Sequence, residues 1–572
     1  MTGTDWLVLG LTLLCIILFG VYKSRQNTNI DSYFLAGRAL PWYQVGLSVM
    51  ATQASAITFI SGPGQAYGDG MRFLQFYLGL PLAVIILCTS FIPNFHRLKV
   101  VTAYEYLEKR FDAKSRVLTV VLFLFLRSLS TAISIYAPSI ILSTLLHLPT
   151  ALTTCLIGLL VISYTVSGGA KAVASTQFIQ MLVIFFGMGL AGYEVFHLLP
   201  HGTGFAEAMH ISGTLGKLNM MDFHFDLHNR YTVWSGLIGG LFLQLSYFGT
   251  DQSQVGRYLT GSSIAESRLG LILNGFVKIP MQFLILLLGT LVFVFFQWKQ
   301  PPAFFNQQEL THVMSGPFKP AFQQLEKERT TLFQLKKIKI DAYVTALRGK
   351  DTRLTAIAAA GLQTAQSRFD ANKVLLRRLI LKNHPGSRLT DISDSNYMFL
   401  NFVLEYLPHG TIGMIIAIVF LASMGSVASA CNSMASCSVV DIYQRWILPE
   451  ASESHYLWIS RGFTVFWGAI CVVFALFAGK FGNLLEAVNS LGSLFYGTIL
   501  GIFLVAFYLK KIAGSSVFYA ALTSEVLIII ASYYNWMEYL WLNVFGVVLV
   551  VAFSFFFQKT IFKNSIALTE IQ

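Results

Sequence analysis

Residues Ile418 to Asp441 read IVFLASMGSVASACNSMASCSVVD. The run is apolar enough for a bilayer, yet Ala422, Ser426, Ser429, Ser433 and Ser436 recur at steps of four, three, four and three. On a helix that spacing stacks them on a single face. Two readings stand at this point. Small residues let helix backbones approach closely in lipid. Alternatively, the hydroxyls form a ladder of oxygens for a hard cation, which prefers oxygen ligands.

The surrounding chain is that of a polytopic membrane protein. Of 572 residues, 55% are hydrophobic and 12% charged, with 48 Phe. Thirteen apolar runs are long enough to span a bilayer: 6–22, 42–67, 73–92, 117–146, 150–166, 172–199, 232–258, 271–297, 411–440, 457–479, 482–509, 515–534 and 538–557. The first run lacks a preceding basic residue and a small-residue cleavage site, so it is expected to stay as a helix with its N-terminus outside. Thirteen spans then put the C-terminus in the cytoplasm. In that orientation the cytoplasmic loops hold eighteen Lys and Arg, and the short outer loops only four, Arg72, Lys217, Arg230 and Lys480. The net charge of +12 therefore reports topology and not nucleic-acid binding. The six cysteines, 15, 88, 155, 431, 437 and 471, all fall in spans without a CxxC and read as packing residues.

Two spans are interrupted. The second reads LSVMATQASAITFISGPGQAYGDG from Leu47. Its polar residues and Gly-Pro-Gly predict a break at Ala51–Ser55, followed by a half-helix ending near Gly62. The seventh passes from apolar helix into Gly249-Thr-Asp-Gln-Ser-Gln254, where Asp251 either faces a cavity or pairs with Arg127 or Lys278. Each break opens a set of five spans, a placement expected of an inverted repeat. Residues 93–116 read as a basic amphipathic loop lying at the membrane interface. Residues 298–395 carry 16 Lys+Arg and 8 Asp+Glu with a helical pattern, which predicts a helical hairpin outside the membrane. His224 and His228 share a metal-ligand spacing but have no further clear ligands, and read as surface. Neither GxxxxGK[ST] nor HExxH occurs, so a gradient-driven transporter fits better than an enzyme. Carbonyls freed at Ala51–Ala54, with the Ser426 hydroxyl, have the chemistry to hold sodium.

DSYFLAGR (31–38), SAITFISGPGQAYGDG (55–70), TAYEYLEKRF (102–111), SGGAKAVASTQFIQ (167–180), TDQSQVGRYL (250–259), ASMGSVASACNSMASCSVVDIY (422–443) and NSLGSLFYGTILG (489–501) together resemble the sodium/solute symporter family. The resemblance covers about residues 5–560 apart from 298–395. It implies an all-α bundle of about 13 transmembrane helices in an inverted 5+5 repeat, with a discontinuous first helix in each repeat. The implied layout is an N-terminal peripheral helix and loop (1–40), a first repeat (41–199) and a second repeat (231–297 and 397–509). An extracytoplasmic insertion (298–396) and two peripheral helices with a tail (510–572) complete it. The implied sodium ligands are the carbonyls of Ala51, Ala54 and Ala422 and the hydroxyl of Ser426, with Gly425 standing where relatives have a serine. A second sodium site would use Ser429, but the family's aspartate is Gln177 here, so one sodium per cycle is expected. Gly256 is another departure, at a position that is usually Gln. The implied substrate positions are Gln53, Thr58, Tyr77, Asp251, Gln252 and Asn489. Ile57 and Thr58 replace the Glu and Gln of sugar carriers. SAITFISGP looks more like the monocarboxylate, vitamin and anion branch, whereas an unpaired Asp251 would repel an anion. The resemblance implies sodium-coupled uptake of a small polar organic solute across the cell membrane. The expected partners are that solute, sodium and membrane lipid, with no nucleic acid and no obligate protein. A proton-coupled transporter and a membrane solute sensor are the alternatives.

Overall fold

The structure, a computed structural model, describes residues 1–23, 29–200, 202–382, 392–480 and 482–563. Arg25, assigned to the first basic loop, Arg388 in the insertion, and most of the C-terminal tail lie outside these residues. Every named element is a helix, and one isolated bridge joins Leu40 to Gly261. In a bilayer this is expected, because a helix satisfies its own backbone polar groups.

Among the described residues, ten helices are long and apolar enough to cross a membrane. The other three apolar runs differ in a way that positions the site. Thr150–Val166 is a shorter apolar helix. It runs into Gly169, whose φ of 60° and ψ of 177° end it and start the next helix, which continues to His197. The second run is divided into Trp42–Gln53 and Ala56–Asp69. The seventh is divided at Asp251 (φ −77°, ψ 115°) into Gly240–Thr250 and Gln252–Tyr258.

The helix Ala56–Asp69 does not stop near Gly62 as expected but continues through Pro63. The helix is closely packed around the proline. A side chain on Gly64 would collide with the backbone of Ser395, and one on Gly289 with the backbone of Pro63. Tertiary contact thus overrides the proline signal.

The serine-rich stretch forms Thr411–Ser436 and continues as a wider π-helical turn, Cys437–Ile447. It is buried along nearly its whole length, packed by both halves of the first broken helix, the helix after Gly169 and Ala113–Leu146. The first break and the serine face therefore share the centre of the bundle.

Two structures close the ends. Residues 93–116 do not lie on the surface: Val100, Ala103, Tyr104 and Leu107 are fully buried. The Tyr104 hydroxyl donates to the Thr250 carbonyl at 2.9 Å. The amphipathic pattern is real, but its apolar face plugs the bundle. At the opposite end, Lys319–Arg348 and Thr352–Leu381 form the expected hairpin, with Asp351 capping the second helix through Arg353 and Leu354 N–H. It is fastened to residues 200–230 by Arg348–Glu207 at 2.7 Å and by Gln363 donating to the Thr214 carbonyl at 2.8 Å.

Candidate functional site

The break after Gln53 interrupts the backbone hydrogen-bond ladder at particular oxygens. In an unbroken helix Ser55 N–H would reach Ala51 O, and Thr58 N–H would reach Ala54 O. Instead Ser55 N–H donates to Gln53 O and Thr58 N–H to Ser55 O, each at 3.0 Å. The carbonyls of Ala51 and Ala54 are passed over by the chain itself. Both residues are buried. Bare peptide oxygens inside a membrane protein are costly unless something polar meets them.

The break lies against the serine-rich helix. Thr52 Oγ1 and Ser429 Oγ are 3.0 Å apart. Gln177 ties the same place together: Oε1 accepts from Ser48 at 2.6 Å, while Nε2 donates to Thr52 at 3.3 Å and to Gly425 O at 3.0 Å. Ser426 lies one turn from Ser429 and its hydroxyl donates back to Ser423 O at 3.1 Å. Ser433 and Ser436 also bond their own helix, at 2.7 and 2.8 Å. The face is thus no continuous oxygen ladder; most of its hydroxyls satisfy the helix they stand on.

Two further residues complete this region, Gln180 and Arg257, the latter counted with the cytoplasmic loops in the sequence but buried here. Arg257 Nε donates to Ser429 Oγ at 2.8 Å, and its guanidinium is buried with Nη1 unpartnered. Gln180 aims its amide at Gly425, where an added Cβ would sit 2.6 Å from Oε1. Glycine at 425 is therefore the counterpart of a glutamine at 180. The spacing of Gln177 and Gln180 on one helix was visible in the sequence, but its partner across the bundle was not.

Beside the break is a cavity of about 90 Å³. Gln53, Thr58, Tyr77 and Asn489 line it. Asp251 and Gln252 do not. The Asp251 carboxylate accepts from Ser253 N–H and hydroxyl at 2.8 and 2.6 Å and from the Tyr496 hydroxyl at 2.9 Å, and pairs with Arg127 at 3.5 Å. It caps the second half-helix from behind the cavity wall. Gln252 turns to the plug, accepting from Ala103 N–H at 2.9 Å and donating to Val101 O at 2.8 Å. Arg127, Lys278, Gln244, Tyr247 and Tyr496 supply much of the remaining lining. Lys278 is a lone cation within an apolar run, a signal the sequence did carry.

Polar contacts tie the helices together on both sides of the cavity. On the hairpin side Gln65 donates to Glu486 at 3.2 Å, Asn483 donates to Gln65 at 2.5 Å, and Arg230 pairs with Glu486 at 2.5 Å. On the other side Arg116 pairs with Asp441 at 2.6 Å, and Thr102 donates to the same carboxylate at 2.7 Å.

A family model described as the sodium:solute symporter family matches residues 33–314 and 374–523. The chain belongs to the sodium:solute symporter family. Residues 315–373, most of the hairpin, fall between the two matched stretches. The symporter is 26% identical over 510 residues to the sodium-dependent multivitamin transporter of Oryctolagus cuniculus, covering 88% of this chain and 66% of that protein's length. It is 25% identical over 569 residues to the sodium/sialic acid symporter NanT of Aliivibrio fischeri, covering 97% and 93%. Its fold matches that of a Na+-coupled sialic acid symporter solved substrate-bound and outward-open, with a TM-score of 0.74 at 23% identity over 99% of both chains. The symporter is a multi-pass membrane transporter and not an enzyme.

Proposed function

We propose that this symporter couples the entry of one sodium ion per cycle to uptake of a small polar organic solute by alternating access. The observation that carries the reading is the pair of bypassed carbonyls, Ala51 and Ala54, set against the serine-rich helix through Thr52 and Ser429. With Ala422 O and Ser426 Oγ they form an oxygen set suited to a hard monovalent cation. Ser426 gives up only a weak intrahelical bond to join it. At the second position, the neutral Gln177 and the guanidinium on Ser429 replace the charge that a second ion would need.

The proposed topology has thirteen spans, the ten long helices plus the short one and the two broken ones, arranged as an inverted 5+5 repeat. The N-terminus faces outside and the C-terminus the cytoplasm of the cell membrane, with lipid around the bundle. The hairpin then caps the outer face and the 93–116 plug closes the inner one. Solute binds in the cavity lined by Gln53, Thr58, Tyr77 and Asn489. A proton-coupled cycle through Asp251 is disfavoured by the three partners that hold its carboxylate.

The test is uptake of a solute panel into proteoliposomes with an imposed inward sodium gradient. Concentrative uptake that collapses when choline replaces sodium is expected. Accumulation indifferent to sodium would overturn the proposal.

A further inference from the structure

Two charged residues line the central cavity, Arg127 and Lys278, and both are cations. They differ in what surrounds them. Arg127 is matched by Asp251 at 3.5 Å. Lys278 is 1% exposed, and among the described residues it has neither an ion pair nor a hydrogen bond. Its nearest notable neighbour is the Tyr77 ring, whose centroid lies 5.8 Å from Nζ. With Asp251 matched to Arg127, Lys278 is the ionisable cation of the cavity wall that has no counter-charge among the described residues.

A buried ammonium without a counter-charge is expensive, and an anion arriving beside it relieves that expense. The amides around it are also unspent. Among the described residues, Gln53 Oε1 and both polar side-chain atoms of Gln244 have no partner, although both residues line the same space. Gln282 Nε2 is likewise unpartnered, while its Oε1 accepts from Tyr77 at 3.4 Å. An anion on Lys278 would find N–H donors on Gln244 beside it, and a hydroxyl or carbonyl on the same solute would find the remaining amide atoms.

We propose that Lys278 receives the negative group of the transported solute, so that the cavity selects small organic anions over sugars and zwitterions. The proposal rests on the reading of this cavity as the solute site. It also removes the difficulty raised by Asp251, whose charge is spent on Arg127 and does not face the solute.

The experiment uses the full chain in proteoliposomes with an inward sodium gradient, offered labelled pyruvate, nicotinate, iodide, D-glucose and L-proline. The melting temperature of the purified protein is measured with each. The expected result is uptake of at least one anion and of neither glucose nor proline. Lys278→Gln should raise the half-saturating concentration of that anion about tenfold or more, Lys278→Arg should retain more of the affinity, and half-saturating sodium should move less than about twofold. Lys278→Gln without anion should melt higher than wild type, since it removes an unpaired charge, and should lose the anion's stabilising effect.

Uptake of glucose or proline without any anion would overturn the anion assignment while leaving sodium coupling in place. So would unchanged anion affinity in Lys278→Gln, failure of that variant to fold, or a panel in which no anion is taken up or stabilises. Anion uptake that depends on Lys278 but proceeds equally in choline would instead sink the coupling and leave the anion site standing.

Discussion

Replacing Asp251 by Asn tests whether its charge is structural. The carboxylate lies 3.5 Å from Arg127, with side-chain exposures of 0% and 9%. Opposite unit charges at that distance attract by about 5 kcal/mol at an effective dielectric constant of about 20. Asn keeps one acceptor oxygen for Ser253 and can turn its amide N–H to the Tyr496 hydroxyl, so the change removes the charge and reverses one hydrogen bond. Removing one member of a buried pair strands the other and costs about 3–5 kcal/mol. Unfolding in graded SDS should therefore show Asp251→Asn and Arg127→Met each destabilised by roughly 3 kcal/mol or more. The double variant should recover most of the loss, because no charge is then left unmatched. Single variants within about 0.5 kcal/mol of wild type, or a double variant as damaged as the sum of the singles, would refute the pairing argument.

Other perturbations reach the hairpin, the ion site and the plug. Burial pushes the Lys336 ammonium down to about 7, with Asp370 offsetting only part of it. The unfolded chain then binds the proton more tightly, so stability should fall as pH drops from about 10.5 to 7 and level off below. Lys336→Met should abolish that slope, a gain of up to ~5 kcal/mol at neutral pH, and a slope unchanged in the variant would contradict it. Gly425→Ser should destabilise by about 1–3 kcal/mol through collision with Gln180. Combined with Gln180→Ala it should be tolerated and lower half-saturating sodium, since the site gains an oxygen. Gln252→Ala removes both bonds to the plug, worth about 1–3 kcal/mol. Labelling of the buried Cys437 by a membrane-impermeant maleimide from that side should speed up several-fold, and an unchanged rate would count against the plug.

The two helix breaks were legible because polar and glycine residues interrupt apolar runs, and a membrane punishes irregular backbone unless it has a use. The break at Ala51–Ser55 lies where the spacing put it. The end of the following half-helix did not, since a proline can be held inside a helix by packing that only Gly64 and Gly289 permit. Side-chain direction was the harder matter. Asp251 and Gln252 are adjacent in sequence, yet one serves Arg127 and Tyr496 while the other serves the plug. No local pattern distinguishes those fates. The plug itself was read as surface because its charges are evident in sequence, whereas the pocket that takes Tyr104 and Leu107 is built by distant helices. Lys278 was visible as an intramembrane cation, but its lack of a partner is a property of the assembled bundle.

Sodium binding between the first helix break and the serine-rich helix is probed by sodium titration of uptake in wild type and Ser426→Ala at fixed pH and solute. Loss of one hydroxyl ligand should raise the half-saturating sodium concentration about tenfold, with solute affinity at saturating sodium nearly unchanged. An identical sodium dependence in the two proteins would contradict an ion held between the Ala51–Ala54 carbonyls and the serine-rich helix.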